Sequence, residues 1–181
     1  MIRLFIAIDL SKEQQRLIGK LRGKPPHGCR WTRLDQLHLT LRFLGDVDES
    51  EIPTLIQQLG AVRLCEFELQ FSGTEFFPNE RDPRVFCLEF APAEPLFQLQ
   101  RDVNQACVLC GLSEDEKTFV PHVTIARLKH GFHSHRNVPV LHERFSSICG
   151  HSFVVSRYHV YASTLSGTGA VHESLQVFPC I

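Results

Sequence analysis

An apolar-rich run from Ile2 to Ile8 reads as an opening strand, and Ser11 followed three residues later by Gln14 has the spacing of a capping box. The helix it opens carries Leu17, Ile18 and Leu21 on one stripe and is expected to end near Leu21, before a loop over Gly23 to Gly28. Arg30-Trp31-Thr32 reads as a short strand and His38 to Leu44 as a longer one, stopped at Gly45. Asp48 and Glu51 repeat the capping spacing. They precede a second amphipathic helix marked by Ile52, Leu55, Ile56, Leu59 and Val62, with Pro53 tolerated in its first turn. Phe67 to Phe77 and Arg84 to Phe90 are strand-like around a turn at Pro78 to Pro83 and predict a hairpin. Leu96, Leu99, Val103, Ala106 and Cys110 mark a third helix with Gly111 as its C-terminal stop.

A charged loop from Ser113 to Lys117 leads into a strand at His122, and Lys129 to Arg136 reads as a solvated loop. Phe153 to Tyr161 and Glu173 to Phe178 read as strands about a turn at Ser166 to Gly169. Three helices and about eight strands predict an α+β fold with largely antiparallel sheets. No low-complexity stretch divides the chain, so residues 1–181 are expected to form a single domain.

Composition narrows the class. A hydrophobic content of 43% suffices for a sizeable core, and the opening apolar run is too short to span a membrane and lacks the layout of a secretory signal. A cytoplasmic protein is the expectation. Seven cysteines without secreted-type spacing read as free thiols, and Cys107-x-x-Cys110 inside a helix reads as packing. A formal charge of −1 excludes coating of long duplexes through many phosphate contacts. It leaves room for a local site gripping one or two phosphates, and Arg30, Arg33, Arg42, Arg127 and Lys129 all lie near the motifs described next.

His38-Leu39-Thr40-Leu41 and His122-Val123-Thr124-Ile125 place a histidine and a threonine two apart, each followed by an aliphatic residue. On a strand the histidine and threonine share one face while the aliphatic side chains enter the core. One copy is weak evidence, since strands favour threonine for its β-branch. Two copies, one in each half of the chain, imply matching strands offered to one cleft. Two imidazoles with ordinary pKa values near 6.5 can act as acid and base, and threonine hydroxyls can hold non-bridging phosphate oxygens. Phosphodiester cleavage fits this set. Neither a Gly-x-Ser-x-Gly elbow nor a P-loop is present. His130, His133 and His135 are a weak metal candidate because no carboxylate or cysteine among them completes a ligand set. Trp31 can sit in the core or at the cleft rim, where its indole would stack on a base.

These motifs, with Arg3 to Leu10, Trp31, Phe43-Leu44-Gly45, Pro121 and Arg127, resemble the two-histidine phosphoesterase superfamily. The nearest branch is the LigT-like RNA 2′,3′-cyclic phosphodiesterases, also called 2′-5′ RNA ligases. The resemblance implies a bilobal catalytic domain with a pseudo-twofold axis, antiparallel sheets lining a central cleft and helices outside. It implies hydrolysis of RNA or nucleotide 2′,3′-cyclic ends to 2′-phosphomonoesters, with reversible 2′-5′ RNA ligation beside it. His38 would be the proton donor, His122 the base, and Thr40 and Thr124 the phosphate ligands. Arg127 would bind the same group, but an unbroken strand points it away from His122; either a bulge near Ala126 redirects it or Arg42, on the face of His38, serves instead. Phe43 and Trp31 complete the expected substrate contacts, and His172 stands where many members have tyrosine. No metal or cofactor is implied, and the expected partners are RNA termini, tRNA fragments or nucleotide cyclic phosphates, met by a monomer. The alternatives are a non-catalytic RNA-end or nucleotide binding module, a phosphodiesterase for another small cyclic nucleotide, and a metal-dependent hydrolase built on His130 to His135.

Overall fold

The computed structural model describes residues 1–115, 117–166 and 169–180. The Ser113 to Lys117 loop and the Ser166 to Gly169 turn therefore fall partly outside the described residues. Strands β1 (Ile2–Asp9), β3 (His38–Val47), β4 (Phe67–Phe77), β5 (Val85–Phe90), β6 (His122–Leu128), β7 (Ser152–Val155), β8 (Arg157–Ser166) and β9 (Gly169–Pro179) form one sheet in the order β7-β4-β5-β6-β3-β1-β8-β9. The pairs are antiparallel, and β2 (Cys29–Trp31) adds to β6 outside this path. The predicted hairpin is β4 and β5.

The segment Phe153 to Tyr161, expected to be one strand, is two. Between β7, which pairs β4, and β8, which pairs β1, lies only Ser156, so two strands on opposite halves of the sheet are consecutive in the chain. The sheet must curl to bring them together, giving a half-barrel. The Ser156 carbonyl accepts from the Cys180 N–H at 2.7 Å, which fastens the end of β9 to this crossing.

Helices α1 (Lys12–Arg22), α2 (Ile52–Leu59), α3 (Glu94–Leu109) and α4 (Ser134–Phe145) complete the fold. α2 packs on α3, and α3 on β3; α1 packs on α4, and α4 on β4, so each half of the sheet receives a helix pair. Ser11 caps α1 as expected, its Oγ accepting from the Gln14 N–H at 3.4 Å and also bonding the Gln14 side chain. The capping box before α2 does not form. Asp48 Oδ1 accepts instead from the N–H and hydroxyl of Ser50, at 2.9 and 2.7 Å, and the helix stops at Leu59, leaving Val62 outside it. α3 ends in a Schellman arrangement: Gly111 N–H reaches the Val108 carbonyl at 2.9 Å and Leu112 N–H the Cys107 carbonyl at 3.2 Å. Gly111 takes φ +84°, which its missing Cβ permits.

α4 corrects the reading of Lys129 to Arg136 as loop alone, since Ser134 already begins a helix. Val138, Leu141 and Phe145 bury its apolar stripe, while Arg144 donates to the Arg22 carbonyl at 2.8 Å and ties α4 to the end of α1. Seven free cysteines are present; Cys87 and Cys107 are buried, whereas Cys65 and Cys149 are exposed. No helix among the described residues is long and apolar enough to cross a membrane.

Arg42 is a structural side chain, only 4% exposed. Its guanidinium donates to the Asn104 carbonyl at 3.0 Å, to Asn104 Oδ1 at 3.2 Å and to the Ser113 carbonyl, fastening β3 to α3 and to the chain beyond it. Replacing it by methionine keeps most of the apolar stem and leaves those acceptors unpaired. Arg42→Met is expected to lower unfolding stability by about 2–4 kcal/mol with the urea m-value unchanged, hydrogen bonds to a charged group being worth about 1.5–3 kcal/mol each. A urea midpoint equal to that of the parent would contradict this role.

Candidate active site

The two motifs meet at one point. β3 and β6 pair antiparallel with Leu39 opposite Val123, both fully buried. Continuing that register sets His38 across from Thr124 and Thr40 across from His122. The aliphatic members face the core, so all four polar side chains fall on the other face, where they line a cleft of about 280 Å³.

Each strand then bulges at the same place. On β1, Ala7 pairs Thr40 and Ile6 pairs Arg42, skipping Leu41; on β5, Cys87 pairs Thr124 and Phe86 pairs Ala126, skipping Ile125. A residue inserted into the alternation reverses every side chain after it. Phe43 and Arg127, which an unbroken strand would turn away, therefore line the cleft, while Arg42 and Ala126 are buried. This corrects the expectation for Arg42: it shares no face with His38 and belongs to the interior.

Both histidines are oriented alike. His38 Nδ1 lies 2.8 Å from the Gln36 carbonyl and His122 Nδ1 lies 2.8 Å from the Val120 carbonyl. A carbonyl only accepts, so each Nδ1 carries the proton and donates it, leaving Nε2 as the nitrogen available to a ligand. Burial lowers His38 to about 4; the neighbouring His172 and His122 also lower it, while the Gln36 carbonyl and Asp9 raise it. Phe5 supplies part of that apolar wall, its ring 4.9 Å from the imidazole.

Asp9 is the β1 partner of His38 and accepts the Tyr161 hydroxyl at 2.6 Å, with His159 Nε2 3.6 Å from the same oxygen. The Tyr161 pKa is raised by burial and by this bond, so the phenol remains a donor. The sequence carried no signal for this group, because Asp9 and Tyr161 meet only through β1–β8 pairing. His172 stands edge-on to His38, ring centres 5.5 Å apart, and is lowered by burial first and Arg127 second.

Trp31 lies between the two environments expected for it. It lines the cleft, yet its Nε1–H donates to the Gly23 carbonyl at 3.2 Å and its ring approaches Phe145 at 6.1 Å. Phe43 is 71% exposed at the mouth. Arg30, Thr32 and Arg33 also line the cleft, and Cys87 Sγ stands 3.8 Å from Thr124 Oγ1 behind it. His133 and His135, rings 6.3 Å apart at the start of α4, lie outside this cleft. Among the described residues no group of three or more His, Cys, Asp or Glu side chains is placed to hold a metal ion.

The family model for the 2′-5′ RNA ligase superfamily matches residues 10–161. A protein of Thermotoga maritima named RNA 2′,3′-cyclic phosphodiesterase is 33% identical, covering 96% of this chain and 93% of its own. A Thermus thermophilus protein of the same name is 34% identical over 98% of this chain and 89% of its own. Among solved structures, TT0787 of Thermus thermophilus superposes with a TM-score of 0.81 at 28% identity, covering 98% of this chain and 97% of the other. Apo LigT of E. coli superposes with a TM-score of 0.78 at 26% identity, covering 99% and 97%. With its doubled strand motif and half-barrel sheet, this chain belongs to the 2′-5′ RNA ligase superfamily.

Proposed function

We propose that this chain is an RNA 2′,3′-cyclic phosphodiesterase, a single catalytic domain of two lobes that opens the cyclic ester of RNA or nucleotide ends to a 2′-phosphomonoester. The observation that carries the reading is the antiparallel join, which sets two His-Thr pairs about one cleft with both Nε2 atoms free of protein partners among the described residues. The names of the relatives support the same substrate class.

In the reaction a water oxygen attacks phosphorus while one Nε2 takes its proton. The bond from phosphorus to the 3′ oxygen breaks, and the other imidazolium gives its Nε2 proton to that oxygen. Each transfer contributes about 10²–10⁴ in rate. Thr40 and Thr124 donate to the non-bridging oxygens, with β-branched rotamers that stay aimed. Arg127 adds a charge-assisted contact to the same group. Phe43 and Trp31 offer apolar faces to the base. The same step with a 5′-hydroxyl in place of water, its proton taken by the base and the 3′ oxygen again leaving, forms the 2′-5′ linkage of the superfamily name, and attack of the 3′-hydroxyl on that linkage reverses it.

The resemblance gives His38 the donor role. Burial leaves His38 neutral in the open cleft at neutral pH, and an anionic phosphodiester against Nε2 opposes that effect by favouring the imidazolium. The productive state carries one proton on the pair, and either histidine can hold it, so the arms of a pH profile belong to the pair. Large exposed apolar side chains are scattered, as at Phe43, Leu109 and Val154, which supports a monomer, and we place it in the cytoplasm acting on RNA termini such as tRNA fragments.

Hydrolysis is expected to persist in excess EDTA, since the histidine pair moves both protons without a Lewis acid; loss restored by a divalent ion would contradict it. The Thr40→Val, Thr124→Val double variant is expected to fold normally and lose about 1.5–3 kcal/mol of transition-state stabilisation for each hydroxyl, read as kcat/KM. Wild-type turnover in that variant would remove both from the site.

The pH profile of kcat/KM should be a bell. Its acid arm is expected near pH 4, where burial of His38 delays the second proton of the pair, and its alkaline arm where the pair loses the one shared proton. His38→Ala should lose the alkaline arm if His38 is the acid and the low-pH arm if it is the base. A flat wild-type profile with chemistry rate-limiting would rule out the histidine pair.

A further inference from the structure

Arg30 on β2 and Arg127 on β6 are direct cross-strand partners. Both are exposed, and both line the cleft. Like charges in opposed positions weaken a strand pair. Among the described residues neither comes within 4.0 Å of a carboxylate. A third cleft arginine behaves differently: Arg33 is neutralised by Asp35 through two bonds, at 3.0 and 2.6 Å. The uncompensated pair is thus a local choice rather than a general property of the wall.

The strand that brings Arg30 is itself an addition. β2 has three residues, pairs only β6 and lies off the path of the main sheet. On the functional reading given above, Arg127 already serves the scissile phosphate, together with two threonines and a protonated histidine. A cyclic phosphodiester carries one negative charge, and these groups are enough for it. Arg30 is left over, beside that site, with a free guanidinium suited to bidentate contact with a second phosphate. The substrate that supplies a second anion next to its reactive end is a polynucleotide, through the internal phosphodiester on the 5′ side of the terminal nucleotide.

We propose that Arg30 binds that upstream phosphodiester, so that the cleft selects an RNA chain over a free nucleoside 2′,3′-cyclic phosphate. The inference rests on the proposed phosphodiesterase activity and names which of its substrates the site favours.

The test compares the wild type with Arg30→Gln on three substrates: a dinucleotide ending in a 2′,3′-cyclic phosphate, the same dinucleotide with a neutral methylphosphonate internal linkage, and a nucleoside 2′,3′-cyclic phosphate. The wild type should prefer the natural dinucleotide over the methylphosphonate by about tenfold in kcat/KM, the size of one charge-assisted contact. Arg30→Gln should erase that preference and lower the ratio of dinucleotide to nucleotide by a similar factor. The slope of log kcat/KM against log salt for the dinucleotide should become shallower by about 0.7, one single-strand phosphate contact. The urea midpoint of Arg30→Gln should not fall, because removing one of two opposed charges relieves the strand pair, whereas a structural arginine would be missed. Equal losses on the dinucleotide and the nucleotide, or an unchanged ratio, would overturn the assignment while leaving the phosphodiesterase reading intact. A wild type that hydrolyses none of the three would overturn that reading and this one with it.

Discussion

One rung of the sheet holds the rest in place: Leu39 against Val123, the pairing at which the two halves touch. Because strand side chains alternate, burying that apolar pair forces the residues on either side of it to the opposite face. A slip of one residue would bury the imidazoles and expose the leucine and valine, so the hydrophobic effect enforces the register that sets both imidazoles and both hydroxyls on the cleft face. The carbonyls of Gln36 and Val120 add what the ladder cannot, the rotation of each ring. Position comes from the core and orientation from the residue two before.

How much of this could be read in the chain follows from the range of the interaction involved. The His-x-Thr repeat is a period-two signal within four residues, and it located the cleft without any knowledge of partners. The bulges at Leu41 and Ile125 are set by strands β1 and β5, distant in sequence, so the local alternation alone puts Arg42 on the wrong face and leaves the direction of Arg127 open. The break at Ser156 is likewise a consequence of topology, since no glycine or proline marks it between Phe153 and Tyr161 and only the choice of partner strand separates the two sides. α4 was hidden for a different reason: Pro139 inside it and the histidines at its start are poor helix signals, and its stripe of Val138, Leu141 and Phe145 becomes decisive only when there is a core to meet it. Asp48 shows the reverse, a local capping pattern satisfied by a nearer competitor, Ser50.

The cleft also shows how burial separates reactive from inert groups. The wall that lowers His38 leaves it able to change protonation in the acid range, with Asp9 and Tyr161 as polar support behind it. The same kind of burial pushes the Cys87 thiol up to about 12, although it lies beside Thr124. A thiol held there stays protonated at neutral pH and contributes shape rather than nucleophilicity.

The matched bulges have a consequence for the handedness of recognition. An axis through the Leu39–Val123 rung exchanges His38 with His122 and Thr40 with Thr124, so this inner set treats the two ends of a bound ester alike. A ribose cyclic phosphate has no such symmetry, since its 2′ and 3′ oxygens belong to different carbons. Regiochemistry then has to be written where the two copies diverge, and the first divergence facing the cleft is the residue each bulge delivers: an exposed aromatic ring, Phe43, on one strand and a cation, Arg127, on the other. A duplicated strand motif supplies an imidazole and a hydroxyl twice over, and a single unlike position after each copy gives the cleft a direction.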